Sequence, residues 1–166
     1  MKVFVGVLLF IVWASSVAFC DCRYRRIPNS MIAAGLVAAL VCALAQCGPF
    51  GVSITQASIG ALIGLVALLP FFALGVMGAA DVKVFAVLGA WCGMHALVGL
   101  WMAASLAAGL HALWLLIVTR TRLAGLGRHG GPTFELAGKA STPYAACLTG
   151  AASGWLLLQA LAGGVQ

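Results

Sequence analysis

Long apolar runs, separated by short polar or glycine-containing segments, dominate the first half of the chain. Three such runs cover residues 3–20, 31–47 and 54–76. The hydrocarbon core of a bilayer is about 30 Å thick, so a helix needs about 20 apolar residues to cross it. The pattern therefore predicts three transmembrane helices, and the spacing of Gly60 and Gly64 indicates that the third packs closely on a neighbour.

The second half of the chain predicts three more helices. The apolar stretch 82–118 is too long for one span and tight for two, so a break near 92–95 divides it into helices at 82–92 and 96–118. The polar, glycine-rich stretch 119–142 predicts a loop outside the membrane, followed by a helix at 143–161. The prediction is an all-α integral membrane protein, a bundle of about six transmembrane helices that forms a single domain over residues 1–166.

Composition supports the membrane prediction and excludes a soluble domain. Hydrophobic residues make up 64% of the chain and charged residues only 7%, whereas soluble domains carry about 25% charged residues. The net charge of +6 raises the question of nucleic acid binding. Because the cations fall between apolar runs, they instead indicate loops at a membrane surface, and we expect no nucleic acid partner.

The positions of the cations predict the orientation of the helices. If the N-terminus lies outside and six helices alternate, eight of the nine basic residues fall on one side, with only Lys2 opposite. Basic loops stay cytoplasmic. We therefore expect a multi-pass protein whose basic loops face the cytoplasm and whose N-terminus lies on the opposite side of the membrane. The cations of the loop 120–139 are expected to touch anionic membrane lipid, since they would repel a basic peptide.

Neither cysteine nor histidine forms a pattern typical of metal sites. Six cysteines are present, without a C-x-x-C pair, and the three histidines lack ligand spacing. Cys42 and Cys47 could pair near a membrane surface, but nothing in the sequence demands it. We expect no bound metal and no cofactor.

Two of the three acids fall at the same membrane face. Asp21 follows the first helix and Asp81 begins the fourth, and the predicted topology puts both at the cytoplasmic side at similar depth. Two carboxylates that approach closely share a proton, because they cannot both ionise. One can then act as general base on a water and the other as general acid. This arrangement can hydrolyse a peptide bond without a metal.

Simpler roles for these two acids stay open. Asp81 could be only the N-cap of helix 4, and Asp21 could pair with one of the three arginines that follow it. A transporter with a proton relay is disfavoured, because its acids usually lie within the bilayer. A non-catalytic membrane scaffold differs only in whether Asp21 and Asp81 meet and act.

Three segments carry a resemblance to a known family. Residues 21–29 read DCRYRRIPN, residues 77–91 read MGAADVKVFAVLGAW, and residues 142–151 read TPYAACLTGA. They resemble, in order, the first aspartate segment, the second aspartate segment and the Pro-Tyr helix start of type IV prepilin peptidases. By this resemblance Asp21 and Asp81 are the catalytic acids.

The resemblance also implies supporting residues. Arg23 matches the arginine of the first segment, Gly78 the first glycine of the second, and Lys83 the lysine that orients or charge-balances the site. Ala80 departs from the family, which usually has a second glycine there. Glycine permits positive φ and close approach, and alanine is its smallest replacement, so we expect a tolerated variant.

The resemblance implies a membrane aspartic endopeptidase that cleaves the basic leader of prepilins or pseudopilins at the cytoplasmic face of a bacterial inner membrane, with a periplasmic N-terminus. By the same resemblance, the scaffold alternative would serve a pilus or secretion machine. Larger relatives carry an N-terminal part with cysteine zinc pairs that is linked to N-methylation. The chain resembles the minimal form associated with Flp-type or tight-adherence pili, so neither zinc nor methyltransferase activity is expected. The oligomeric state stays open.

Overall fold

The protein was analysed as a computed structural model, which describes residues 2–123, 135–136, 139–140 and 143–162. Within these residues it contains six helices and one pair of short antiparallel strands. The helices are α1 (Lys2–Tyr24), α2 (Asn29–Leu44), α3 (Ile54–Ala73), α4 (Ala79–Cys92), α5 (Met94–Leu123) and α6 (Tyr144–Leu161). The strands are β1 (Glu135–Leu136) and β2 (Lys139–Ala140). The expected all-α architecture is confirmed.

Four of the helices are long and apolar enough to cross a membrane. They are α1, α3, α6 and the part of α5 from Met94 to Ile117. Large apolar side chains such as Leu106, at 67% exposure, and Trp114, at 64%, face outward from α5. Lipid tails are as apolar as these side chains, so the chain is an all-α membrane protein. The helices α2 and α4, with 16 and 14 residues, are shorter.

The short helix α4 lies in the centre of the bundle. It packs on α2, α3, α5 and α6, and nearly every residue from Val82 to Cys92 is buried. A helix that is hydrophobic all round is buried by its neighbours. This explains why the apolar run 82–92 is shorter than a lipid-facing span.

Glycines allow α3 and α4 to approach backbone to backbone. A Cβ atom added at Gly60 would overlap the carbonyl of Gly89, and one added at Gly64 would lie 2.9 Å from the carbonyl oxygen of Phe85. The close packing predicted from Gly60 and Gly64 is confirmed. The partner of these glycines, Gly89 of α4, was not predicted.

The second and third helices end three residues earlier than predicted. After α3, Gly75 has φ of 70°, and the N–H groups of Gly75 and Val76 bond back to the carbonyls of Phe72 and Phe71. This is a Schellman ending, which satisfies the last carbonyls. The same ending closes α2 with Gln46 at φ 52°. A non-glycine residue rarely takes this conformation, so the residue types at the end of α2 did not indicate this ending.

Other helix limits also differ from the prediction. Helix α1 continues past residue 20 to Tyr24, so Asp21 is helical, and α4 begins at Ala79 instead of residue 82. Helix α5 begins two residues before the predicted 96 and extends to Leu123, so the predicted loop 119–142 begins in part as a helix. The break between α4 and α5 is confirmed at Gly93, whose φ is 76°. All six cysteines are free.

Candidate active site

Asp21 is buried at the end of α1 and accepts a hydrogen bond from α6. The residue is only 8% exposed, and its Oδ2 accepts from the backbone N–H of Ala146 at 2.9 Å. Ala146 lies in the first turn of α6, where the N–H groups have no partner within the helix. The positive end of the α6 dipole therefore stabilises a negative charge on Asp21.

Asp81 lies in the first turn of α4, third in the helix after the N-cap residue Gly78. It is therefore not the N-cap that the simpler interpretation assigned to it. The backbone N–H of Gly78 lowers the pKa of the Asp81 carboxyl. A Cβ atom at Gly78 would lie 3.2 Å from Oδ2 of Asp81, so glycine at this position leaves room for the carboxyl group.

The fold brings the carboxyls of Asp21 and Asp81 close enough for the charge of one to affect the pKa of the other. Burial, followed by the negative charge of Asp21, raises the pKa of Asp81 to about 6. The backbone N–H of Ala145, also in the first turn of α6, interacts with both carboxyls. The ends of α1, α4 and α6 thus meet at a pair of acids that favours holding one proton between them.

Arg25, and not Arg23, supplies the cation at this pair. The charge of Arg25 acts on both carboxyls and lowers the pKa of Asp81, and its side chain is half-buried. Arg23, the predicted supporting residue, is exposed. Arg25 follows the end of α1 with φ of 52°. This turn brings the charge of Arg25 to the carboxyls. The spacing of the three arginines in the sequence does not indicate which of them does so.

Lys83 joins the two predicted aspartate segments. Its Nζ donates a hydrogen bond to Oδ1 of Asn29 at 2.9 Å, and Asn29 is the first residue of α2. This contact fixes the start of α2 against α4. Of the two roles considered for Lys83, this bond favours positioning.

The described residues contain no group of three or more His, Cys, Asp or Glu side chains that could hold a metal ion.

The family model of the type IV leader peptidase family matches residues 8–113, which is well over half of the chain and includes both aspartates. The chain belongs to this family. No curated protein and no solved structure gives a significant match. The resemblance seen in the motifs is confirmed, and the chain is a protease with a leader peptidase role.

The departure from the family motif in this leader peptidase is compatible with its backbone. Ala80 lies in the first turn of α4, and it is not among the described non-glycine residues with positive φ. Positive φ is the conformation in which glycine is favoured over alanine. The helical backbone at Ala80 therefore carries no strain from its Cβ atom.

The candidate site of this leader peptidase also includes residues beyond the matched segment. Helix α6 starts after residue 113, yet the Ala145 and Ala146 amides face the carboxyls. The Tyr144 hydroxyl shares a 3.0 Å hydrogen bond with Ser105 Oγ of α5, which ties the start of α6 to the bundle. Sequence reasoning noted the Pro-Tyr segment but missed these amides. The predicted start of the sixth helix at the same membrane face as the two acids could have indicated that its first amides face them.

Proposed function

We propose that this leader peptidase is an aspartic endopeptidase in which Asp21 and Asp81 activate a water molecule. One observation carries the proposal: acids from α1 and α4, sixty residues apart in sequence, meet at the first turn of α6. Burial and mutual repulsion raise the pKa of Asp81 to about 6. Such a perturbed pair is typical of catalytic carboxyls.

The chemistry follows from which carboxyl holds the proton. Asp21, bonded to the Ala146 amide, is the ionised base that takes a proton from water, and the oxygen of that water adds to the scissile carbonyl carbon. Protonated Asp81 gives its proton to the carbonyl oxygen. The resulting gem-diol then collapses. Its C–N bond breaks, one hydroxyl proton returns to Asp81, and the proton held by Asp21 passes to the leaving nitrogen.

We further propose the basic leader of a prepilin or pseudopilin, of the Flp or tight-adherence type, as the substrate. The site lies at the end of α1 that carries Arg23, Arg25 and Arg26, and basic segments favour the cytoplasmic side. A leader that precedes an apolar stem helix would reach this face while the stem stays in the lipid. Cleavage then takes place at the cytoplasmic face of the inner membrane.

The experiment that tests this proposal is cleavage of a Flp-type prepilin in membranes. Native protein, Asp21→Asn and Asp81→Asn are compared, and Glu135→Gln serves as the matched control because it neutralises the third acid of the chain. We expect the native protein and Glu135→Gln to cut. Each aspartate variant should lose at least a hundredfold in rate, the lower end for general acid–base catalysis.

Two results would contradict the proposal. Cleavage by either Asn variant, inserted at native levels, would remove the paired-carboxyl mechanism. An inactive native protein, tested on several prepilins, would favour the scaffold alternative.

A further inference from the structure

A basic cleft opens beside the carboxyl pair, between the α1–α2 connection and the start of α4. Its volume is about 630 Å³. Among the described residues that line it, three are cations, namely Arg25, Arg26 and Lys83, and none is an acid. Three cations around one open space produce a positive potential that attracts an anion.

Two helix starts reinforce this potential. Asn29 is the first residue of α2 and Ala79 is the first residue of α4, and both line the cleft. The N-terminus of a helix carries about half a positive charge and unpaired N–H groups. A group with several oxygen acceptors, such as a phosphate, suits this combination of cations and amides.

Two aromatic side chains at the end of α1 indicate that the cleft lies near the lipid headgroups. Phe19 and Tyr24, 62% and 63% exposed at the end of α1, contact each other edge to face with ring centroids 6.2 Å apart. Aromatic side chains of this kind concentrate at membrane–water interfaces. Because Arg25 and Arg26 follow Tyr24 directly, we expect the cleft to begin at the boundary between the hydrocarbon core and the headgroups.

We propose that the cleft lined by Arg26, Lys83 and the first residues of α2 and α4 binds the phosphate headgroup of an anionic phospholipid. Basic pockets between helices at the cytoplasmic side are suited to such headgroups. Ile27 and Pro28 also line the cleft, and they provide apolar surface for the upper part of an acyl chain.

The bound lipid has a consequence for the reaction, which rests on the function proposed above. A basic leader approaching the carboxyl pair passes three cations that repel it. A phosphate in the cleft offsets part of that charge, so the lipid acts as a fixed counter-ion that admits the leader. An acidic protein segment would meet the same charges, but it lacks the apolar tail that the membrane depth favours.

The test measures lipid retention without turnover, so its result is independent of whether the chain cleaves prepilins. The full-length protein, purified in neutral detergent, is given short-chain phosphatidylglycerol or phosphatidylcholine, and bound lipid is counted by native mass spectrometry. The variants are Arg26→Gln, Lys83→Gln and the charge-preserving Arg26→Lys. Arg23→Gln is the matched control, because it removes an exposed cation in the last turn of α1 that does not line the cleft.

We expect phosphatidylglycerol to be retained over phosphatidylcholine, with affinity reduced about fivefold by Arg26→Gln and by Lys83→Gln. Arg26→Lys and Arg23→Gln should bind as the native protein does. Equal weakening by Arg23→Gln would overturn the proposal in favour of diffuse surface attraction, and equal retention of both lipids would overturn it outright. Displacement by equimolar inorganic phosphate, or by an acidic peptide, would assign the cleft to a free anion or to a protein segment.

Discussion

At the scale of single residues, local backbone geometry decides which charges reach the candidate site. Asp21 is helical, Asp81 occupies the first turn of α4, and Arg25 lies in the left-handed conformation just after α1. Arg25 is half-buried, whereas the next residue, Arg26, is exposed. The ionisation of Asp81 therefore reflects burial, Asp21 and Arg25 together, and each contribution can be tested separately.

The pH dependence of cleavage should report the proton on Asp81. Its pKa of about 6 lies above the ordinary value, so the proton is lost as pH rises through that range and both carboxyls become ionised. Above about pH 7 the rate should fall roughly tenfold per pH unit. The measurement is single-turnover cleavage between pH 5.5 and 8.5, with brief exposure and return to pH 6 as the control for stability. A flat profile would contradict this assignment.

Replacing Arg25 should move the same profile. The cation of Arg25 lowers the pKa of Asp81, so Arg25→Gln raises that pKa and shifts the alkaline fall in rate to higher pH. Arg23→Gln should leave the position of the fall unchanged, because Arg23 is exposed. The two variants are compared by their pH midpoints and not by their absolute rates. An equal shift in both would show a general effect of surface charge.

At the scale of helices, close backbone approach and helix ends define the bundle. The crossing of α3 and α4 depends on Gly60 and Gly89, which leave no space for side chains between the two backbones. Without a strong hydrophobic drive between helices in lipid, such packing supplies much of their association. The same crossing supports α4, whose first turn carries Asp81.

Adding one methyl group at this crossing should destabilise the bundle. Gly60→Ala places a Cβ atom against the Gly89 carbonyl, and overpacking of this kind costs about 1–3 kcal/mol. Gly99→Ala is the control, since a Cβ atom there meets nothing within 4 Å. Reversible unfolding in mixed micelles gives the free energy of unfolding for both variants. Equal stability of the two would contradict the tight crossing.

At the scale of the whole molecule, α1 carries the candidate site at one end and the N-terminus at the other. Its 23 residues extend about 34 Å at 1.5 Å per residue, slightly more than the hydrocarbon core of a bilayer. The two ends should therefore lie in different compartments. The excess of cations near Asp21 predicts that this end is cytoplasmic.

Labelling with a membrane-impermeant thiol reagent tests this orientation. A variant that retains Cys22, which is exposed, and has alanine in place of the other cysteines should react in inverted membrane vesicles and not in intact cells. Lys2→Cys, also at an exposed position, is made in a background that lacks the native cysteines. This variant should react in intact cells and not in inverted membrane vesicles. Reaction of Cys22 from the outer side would overturn the proposed cytoplasmic site.

The sequence by itself determined the helical membrane architecture, the break between α4 and α5, and the identity of the two acids. Hydrophobic runs and turn residues predict which segments lie in lipid and which in water. This preference depends only on the residues of the segment itself. The sparse acids, each within a recognisable segment, left few candidates for chemistry. The clustering of cations likewise predicted one common face for both.

Only the tertiary structure decided which groups surround those acids. The bond from Ala146 to Asp21 joins residues 125 positions apart, and the bond from Lys83 to Asn29 spans 54. Residue spacing carries no information about backbone amides of a distant helix, or about the left-handed turns at Arg25 and Gln46. These features arise when helices pack, because packing fixes the direction in which each helix end and each side chain points.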